Sequence, residues 1–289
     1  MNELLPLLVA IPLLGATLTL AAGFAFERLG WPLCFLTSLA HAGLATAVAA
    51  TVYASGSPLD HGVGGFAPPF GIELVVDGFN AAVIVLVSAV AVGVLIYARR
   101  AGPHSVPFYT GYLLLLAGLS GMTITGDMFN LYVFLEITGL AAYALVATGD
   151  DGRAAVGALK YLLVVTVGAS LFLLGIGYAF IATGTLNMAD LAAKLATADP
   201  TLVGASFALV ATGLAVKTAL FPLHTWQPEA YASAPDSVSG LVAALVSTVS
   251  AYALARVTFS VYTVNFLRSS AFAQEFLLRL AALSIVAGS

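Results

Sequence analysis

The chain has 289 residues, of which 61% are hydrophobic and 8% charged. Ten Lys+Arg against fourteen Asp+Glu give a formal net charge of −4, where a soluble chain of this length carries roughly 70 charged residues. Such a chain lacks the polar surface of a soluble globule, the charge of a disordered protein and the basic face of a nucleic-acid binder, so it reads as an integral membrane protein.

Apolar segments at 4–26, 31–54, 79–98, 107–125, 128–148, 156–182, 202–221, 237–262 and 272–288 predict an all-α, polytopic transmembrane bundle of about eight or nine helices. The first run has no basic residues ahead of it and is long for a signal peptide, so it reads as a retained helix. Most breaks carry charge, Gly or Pro: Glu27 and Arg28, the run Arg99 to Pro103, and Gly149 to Arg153. Gly126 and Asp127 mark a tight turn. Helices one to three occupy 1–100, with an external loop at 55–78. That loop combines Gly62, Gly64, Gly65, Pro68 and Pro69 with the alternating stretch Ile72 to Asp77, the pattern of a short extended or hairpin segment. Asn187 to Leu195 reads as a short surface helix capped by Asn187. Arg28, Arg99, Arg100 and Arg153 lie in odd-numbered loops, Lys194 and Arg268 in even-numbered ones. Lys/Arg bias in short loops then puts the amino terminus outside a multi-pass cytoplasmic membrane of a bacterium or archaeon. Cys34, the single cysteine, reads as a small buried hydrophobe.

The chemistry is expected where ionisable groups interrupt apolar helices, because such groups are expensive in lipid and face a bundle interior or polar cavity. Glu136 sits near the middle of the fifth span. It serves either as a protonated hydrogen-bonding residue or as a proton- or cation-handling group, since desolvation and a nearby cation pull a carboxyl in opposite directions. Lys217 is followed closely by Pro222, which has no amide hydrogen and should kink or stop the seventh helix. Two readings stand for its ammonium: a hydrogen bond to carbonyls freed at the break, or snorkelling to the interface. His224, Trp226, Gln227, Pro228 and Glu229 follow in a segment too polar for lipid, as in the broken helices of transporters. His224 can pass a proton or simply hydrogen-bond. Lys160 opens the sixth span as an anchor, and Arg256 reads as a snorkelling residue. Asp127 and Asp236 sit at helix starts as candidate caps, while Tyr132, Trp226 and Tyr231 are packing aromatics. The four histidines show no metal-ligand spacing, and the sequence has no phosphate loop, nucleotide fingerprint or clustered cysteines. No cofactor, metal or nucleic acid is therefore expected.

The run Lys217 to Tyr231, with Ala234 to Leu241, resembles the signature of the proton-conducting membrane transporter family. This family comprises the antiporter-like subunits of respiratory complex I and of membrane-bound hydrogenases, and the two large antiporter-like proteins, A and D, of Mrp-type sodium/proton antiporters. Gly126 to Glu136, Lys160 to Leu162 and Gly184 to Asn187 are similar to it too, and the wording is closest to the D-type Mrp protein and the hydrogenase branch. The resemblance implies the first half of an inverted-repeat fold: a first five-helix repeat at 107–262 and the start of a second at 263–289. It makes Glu136 and Lys217 a pair that gates proton movement, Lys160 and His224 further pathway residues, and Pro222, Trp226, Asp127 and Glu229 (in place of the more usual aspartate) their supports. It also implies partners, the other membrane subunits of an Mrp-type or complex-I-like assembly, with protons and sodium as candidate cargo. Any redox activity would belong to an NADH:quinone oxidoreductase or hydrogenase complex rather than to this chain. In the eighth helix the family places a lysine or histidine where Thr248 falls. Thr cannot hold a proton near neutral pH, so either Ser247, Thr248 and Ser250 support a water chain or this half does not conduct. Two readings follow, an ion-translocating subunit and a non-conducting structural one. A stand-alone solute transporter has little support. Family members have roughly fourteen helices in two inverted repeats; the expectation is that a neighbouring subunit supplies the other half or that the sequence is partial.

Overall fold

The computed structural model describes residues 1–149 and 152–288; Asp150 and Asp151, in the expected break after the fifth helix, and Ser289 lie outside the described residues. Eight helices are long and apolar enough to cross a membrane. They include α1 (Leu7–Ala25), α2 (Gly30–Ser55), α3 (Gly78–Ala101), α4 (Val106–Ile124), α5 (Met128–Val146), α6 (Gly152–Thr183) and α8 (Pro200–Thr218). Short α7 (Met188–Leu195) lies between α6 and α8, and α9 (Gln227–Ser233) follows the break after α8. The eighth crossing, Asp236–Val261, is not uniform. Its α-helical parts α10 (Asp236–Leu241) and α11 (Ser247–Arg256) alternate with π-helical turns at Val242–Val246 and Val257–Val261. The expected ninth span is a pair, α12 (Thr263–Ser269) and α13 (Ala271–Gly288), bent by 97°. The bend falls at Ser270, whose backbone is extended.

Caps explain many of the helix starts. Ser105 accepts from the Phe108 amide ahead of α4, Asp199 from Thr201 and Leu202 ahead of α8, and Asn187 from Ala189 and Asp190 ahead of α7. Asp77 and Asn80 form a reciprocal capping box at α3. Asp127 caps α5 by accepting from the Asn130 amide. Asp236 does not act as the expected cap: it is the first residue of α10, behind Pro235, and makes no cap bond.

The loop at 55–78 contains the expected hairpin. Strand β1 (Leu59–Gly62) pairs antiparallel with β2 (Glu73–Val76). This hairpin closes one end of the bundle. The Gly126 amide donates to the Glu73 carbonyl at 2.8 Å, and Asn187 donates through its side chain to the Glu73 carboxylate at 2.7 Å. The α4–α5 and α6–α7 turns are themselves laced by Met188 N to Gly126 O and Met128 N to Leu186 O. Arg256, expected to snorkel, instead forms an ion pair with Asp77 at this end. The reason is that the Asp77 cap brings a carboxylate within reach of the last turn of α11.

Most of the buried side chains form one core that runs from α3 to α11, with α6 packed most extensively on α8. Small residues permit that approach: a Cβ on Gly213 would meet the backbone nitrogen of Phe172 at 2.8 Å. Large apolar side chains such as Leu14, Leu18, Leu163, Val167 and Ile181 are exposed, as expected for a surface that meets lipid rather than water.

Candidate functional site

The seventh crossing stops early. Helix α8 ends at Thr218, and Ala219 takes a left-handed conformation with φ of 60°. Residues 219–226 then run as turns to α9. This places the break four residues ahead of Pro222, and at the level of the middle of α5, because Lys217 reaches Leu135 there.

Lys217 is 4% exposed. Its ammonium donates to the Leu135 carbonyl at 3.0 Å and lies 3.9 Å from Glu136 Oε1. Neither snorkelling nor bonding to its own helix describes this lysine: it crosses to α5. The ion-pair distance exceeds a direct hydrogen bond, and Glu136 Oε1 is buried without a hydrogen-bond partner. The pair is thus held apart by less than the width of a water molecule, with the ammonium tied to a carbonyl that cannot accept its proton. Glu136 keeps 31% of its side chain exposed, so the carboxylate has one dry side facing Lys217 and one open side.

Gly139, one turn beyond Leu135, makes room for the ammonium. A Cβ there would stand 3.0 Å from Lys217 Nζ and 2.8 Å from the Tyr143 hydroxyl. Tyr143 therefore borders the pair, and it begins an aromatic column. It meets Tyr161 edge-on (centroids 4.6 Å apart, planes at 81°), and Tyr161 stacks on Trp226 (4.2 Å, 3°). Trp226 donates from its indole nitrogen to the Val216 carbonyl at 3.1 Å. It thereby satisfies one acceptor at the end of α8 that the broken ladder leaves without a helical donor.

Beyond the column lies a polar layer. Lys160 forms an ion pair with Glu229. Ser247 receives a hydrogen bond from Gln227 at 3.1 Å and shares one with Tyr231 at 2.9 Å, so Tyr231 does more than pack. Thr248 is exposed on α11, and Ser250 is buried with a hydroxyl that has no partner. The three eighth-helix hydroxyls therefore do not share one environment. His224 packs against Phe221, with a buried Nδ1 that has no partner. The Phe221 amide donates to Ser284 of α13 at 3.2 Å, so α13 touches the break. Among the described residues no group of three or more His, Cys, Asp or Glu forms a metal site.

Sequence reasoning singled out Glu136, Lys217, His224, Lys160, Glu229, Trp226 and Ser247. The structure brings the first two together around α5 and α8, and Lys160, Glu229, Trp226 and Ser247 around α9. Sequence reasoning did not reach Gly139, Tyr143, Tyr161 or Ser284. Tyr161 stands beside Lys160 in a stretch already noted, whereas nothing local distinguishes Gly139 among 28 glycines.

A bundle of eight spanning helices with a lysine at an intramembrane break, facing a glutamate on a neighbouring helix, has the architecture of an antiporter-like membrane subunit. Residues 125–289 match the model of the NADH:quinone oxidoreductase/Mrp antiporter transmembrane family, and the chain belongs to that family. It is 44% identical to the N subunit of the NADH-quinone oxidoreductase of Desulforudis audaxviator, over 88% of this chain and 52% of that protein. It is 34% identical to the D-type protein of the Na(+)/H(+) antiporter of Bacillus subtilis, over 100% of this chain and 58% of that protein. Among solved structures it resembles a chain of the membrane-bound sulfane sulfur reductase, an archaeal respiratory membrane complex, with a TM-score of 0.91, 35% identity and coverage of 97% of this chain and 57% of that one. The chain thus spans about half the length of the relatives it matches.

Proposed function

We propose that this chain is an ion-translocating subunit of a multisubunit membrane complex of the Mrp or complex I type, and that Glu136 and Lys217 handle the proton it moves. The observation that supports this reading is the buried Lys217 ammonium at a helix break, 3.9 Å from Glu136. When the two approach, carboxylate and ammonium neutralise each other; when they part, each must find another partner or change its protonation. A proton released by one is taken up by the other directly or through a bridging water. Lys160, Glu229, His224 and Ser247 then connect the pair to the end of the bundle opposite the hairpin. Residues 107–262 act as one half-channel unit in this reading, with the amino terminus on the outer side.

The partners are other membrane subunits, as the relatives are named as subunits, and sodium is a candidate exchanged cation because the Bacillus subtilis protein is named as part of a Na(+)/H(+) antiporter. The test measures cation-dependent proton flux in the reconstituted complex with Glu136→Gln and Lys217→Ala made separately. Both should lose most of the flux. Wild-type flux in both overturns the transport reading and leaves a structural subunit, the reading that the exposed Thr248 favours.

A further inference from the structure

Outside the Glu136–Lys217 site, the described residues hold a second ionisable group sealed inside the helices. His41, near the middle of α2, is 0% exposed. Its Nδ1 lies 3.1 Å from the Ser88 hydroxyl of α3, and its Nε2 lies 2.9 Å from the Ser120 hydroxyl of α4. Each serine is also 2.7 Å from a carbonyl one turn back on its own helix, Ile84 for Ser88 and Leu116 for Ser120. The fourth neighbour is the Leu8 carbonyl of α1, which interacts with the ring. Pro12 lies inside α1, and a proline has no amide hydrogen to give to the carbonyl four residues back. Leu8 is therefore the carbonyl that α1 itself leaves free.

The geometry points to His41, Ser88, Ser120 and the Leu8 carbonyl as a second proton-binding site, formed by α1 to α4 and separate from the Glu136–Lys217 pair. The donor count carries the argument. A neutral imidazole has one N–H and one acceptor nitrogen. In that form one serine accepts from the ring, while the other must turn its single hydrogen from its own helix to the bare nitrogen. With a proton added, both ring nitrogens donate, and both serines point their hydrogens at Ile84 and Leu116. Only a hydroxyl rotation separates the two forms, and the backbone does not move. The acceptors also outnumber the donors of a neutral ring: two serine oxygens and the Leu8 carbonyl face a single N–H, whereas the imidazolium supplies two. No ion pair with a carboxylate holds His41 among the described residues, so no fixed opposite charge locks it in one form. The other titratable groups on the packed faces are Cys34 of α2 and Tyr109 and Tyr112 of α4, all about two helical turns or more away along their helices from His41 or Ser120. Arg99 of α3 lies further along, over the Trp31 ring.

The test is nitrogen-15 magnetic resonance of histidine-labelled protein reconstituted in lipid. The substitutions His61→Gln, His104→Gln and His224→Gln leave His41 as the sole histidine. On acidification from about pH 8 to about pH 5, the resonance of the bare nitrogen should give way to two protonated ones. Ser88→Ala, Ser120→Ala and Pro12→Ala should each weaken proton binding by about tenfold, the first two by removing an acceptor and the third by giving the Leu8 carbonyl a helical donor. A ring that stays neutral throughout, or one that titrates identically in all three variants, overturns the assignment. Flux plays no part in this readout, so its failure is distinct from failure of the transport reading.

Discussion

Replacing Gly139 by alanine tests whether the Lys217 ammonium is seated by the shape of α5. In an unremarkable helix interior, Gly→Ala gains about 1 kcal/mol. Here the added carbon would fall 3.0 Å from Lys217 Nζ and 2.8 Å from the Tyr143 hydroxyl, closer than the roughly 3.5 Å of relaxed contact. If the ammonium gives way by about 0.5 Å, its 3.0 Å bond to Leu135 lengthens to the edge of a hydrogen bond. Losing a hydrogen bond to a charged group costs about 1.5–3 kcal/mol, so Gly139→Ala should be destabilising by about 0.5–2 kcal/mol after the helix gain. Gly177→Ala in α6 is the control, since a Cβ there meets nothing within 4 Å; it should be neutral or stabilising by up to about 1 kcal/mol. Denaturation in mild detergent measures both variants, and proton flux in the reconstituted complex should fall only for Gly139→Ala. A Gly139→Ala protein as stable as Gly177→Ala, with unchanged flux, refutes the reasoning.

Trp226→Phe keeps an aromatic face for Tyr161 but strands the Val216 carbonyl, and thermal unfolding should show a loss of about 1–3 kcal/mol. Asp77→Asn and Arg256→Met should be non-additive, with a coupling of roughly 0.5–3 kcal/mol in a double-mutant cycle; an additive pair means the contact contributes nothing. Burial works against the Asp77 carboxylate, but the Arg256 guanidinium and the Asn80 and Phe79 amides outweigh it and hold its pKa below the ordinary value. Its contribution should therefore be complete at neutral pH and disappear as pH falls through that lowered value, an acid sensitivity that Asp77→Asn removes. Asp127→Ala deletes the cap of α5 and should cost about 1 kcal/mol, whereas Asp127→Asn should retain most of it.

Hydropathy was enough to find every spanning helix of the bundle, because apolar length is a local property. The cost of charge in lipid was enough to find Glu136 and Lys217 separately, while their proximity required the fold. The break is the instructive error. Pro222 signals a stop, yet α8 ends at Thr218 and turns through Ala219, a residue with no preference for a left-handed backbone; tertiary fixtures such as the Trp226 indole decide the position. Arg256 was misread for a related reason. Its partner Asp77 is 179 residues away, and no periodicity links them. Gly139 was invisible because its role is to be absent from a space that another helix fills.

The hairpin gives the bundle a mechanical asymmetry. Glu73 binds the turn that begins α5 through its backbone and the turn that begins α7 through its carboxylate, so the end of α5 nearest Glu136 is riveted to a strand. At the opposite end, α8 has already dissolved into turns and α13 rests against them through Ser284. Any change in the spacing between Glu136 and Lys217 therefore has a fixed jaw and a moving one: α5 is the anvil, and the eight residues after Thr218 are the hinge.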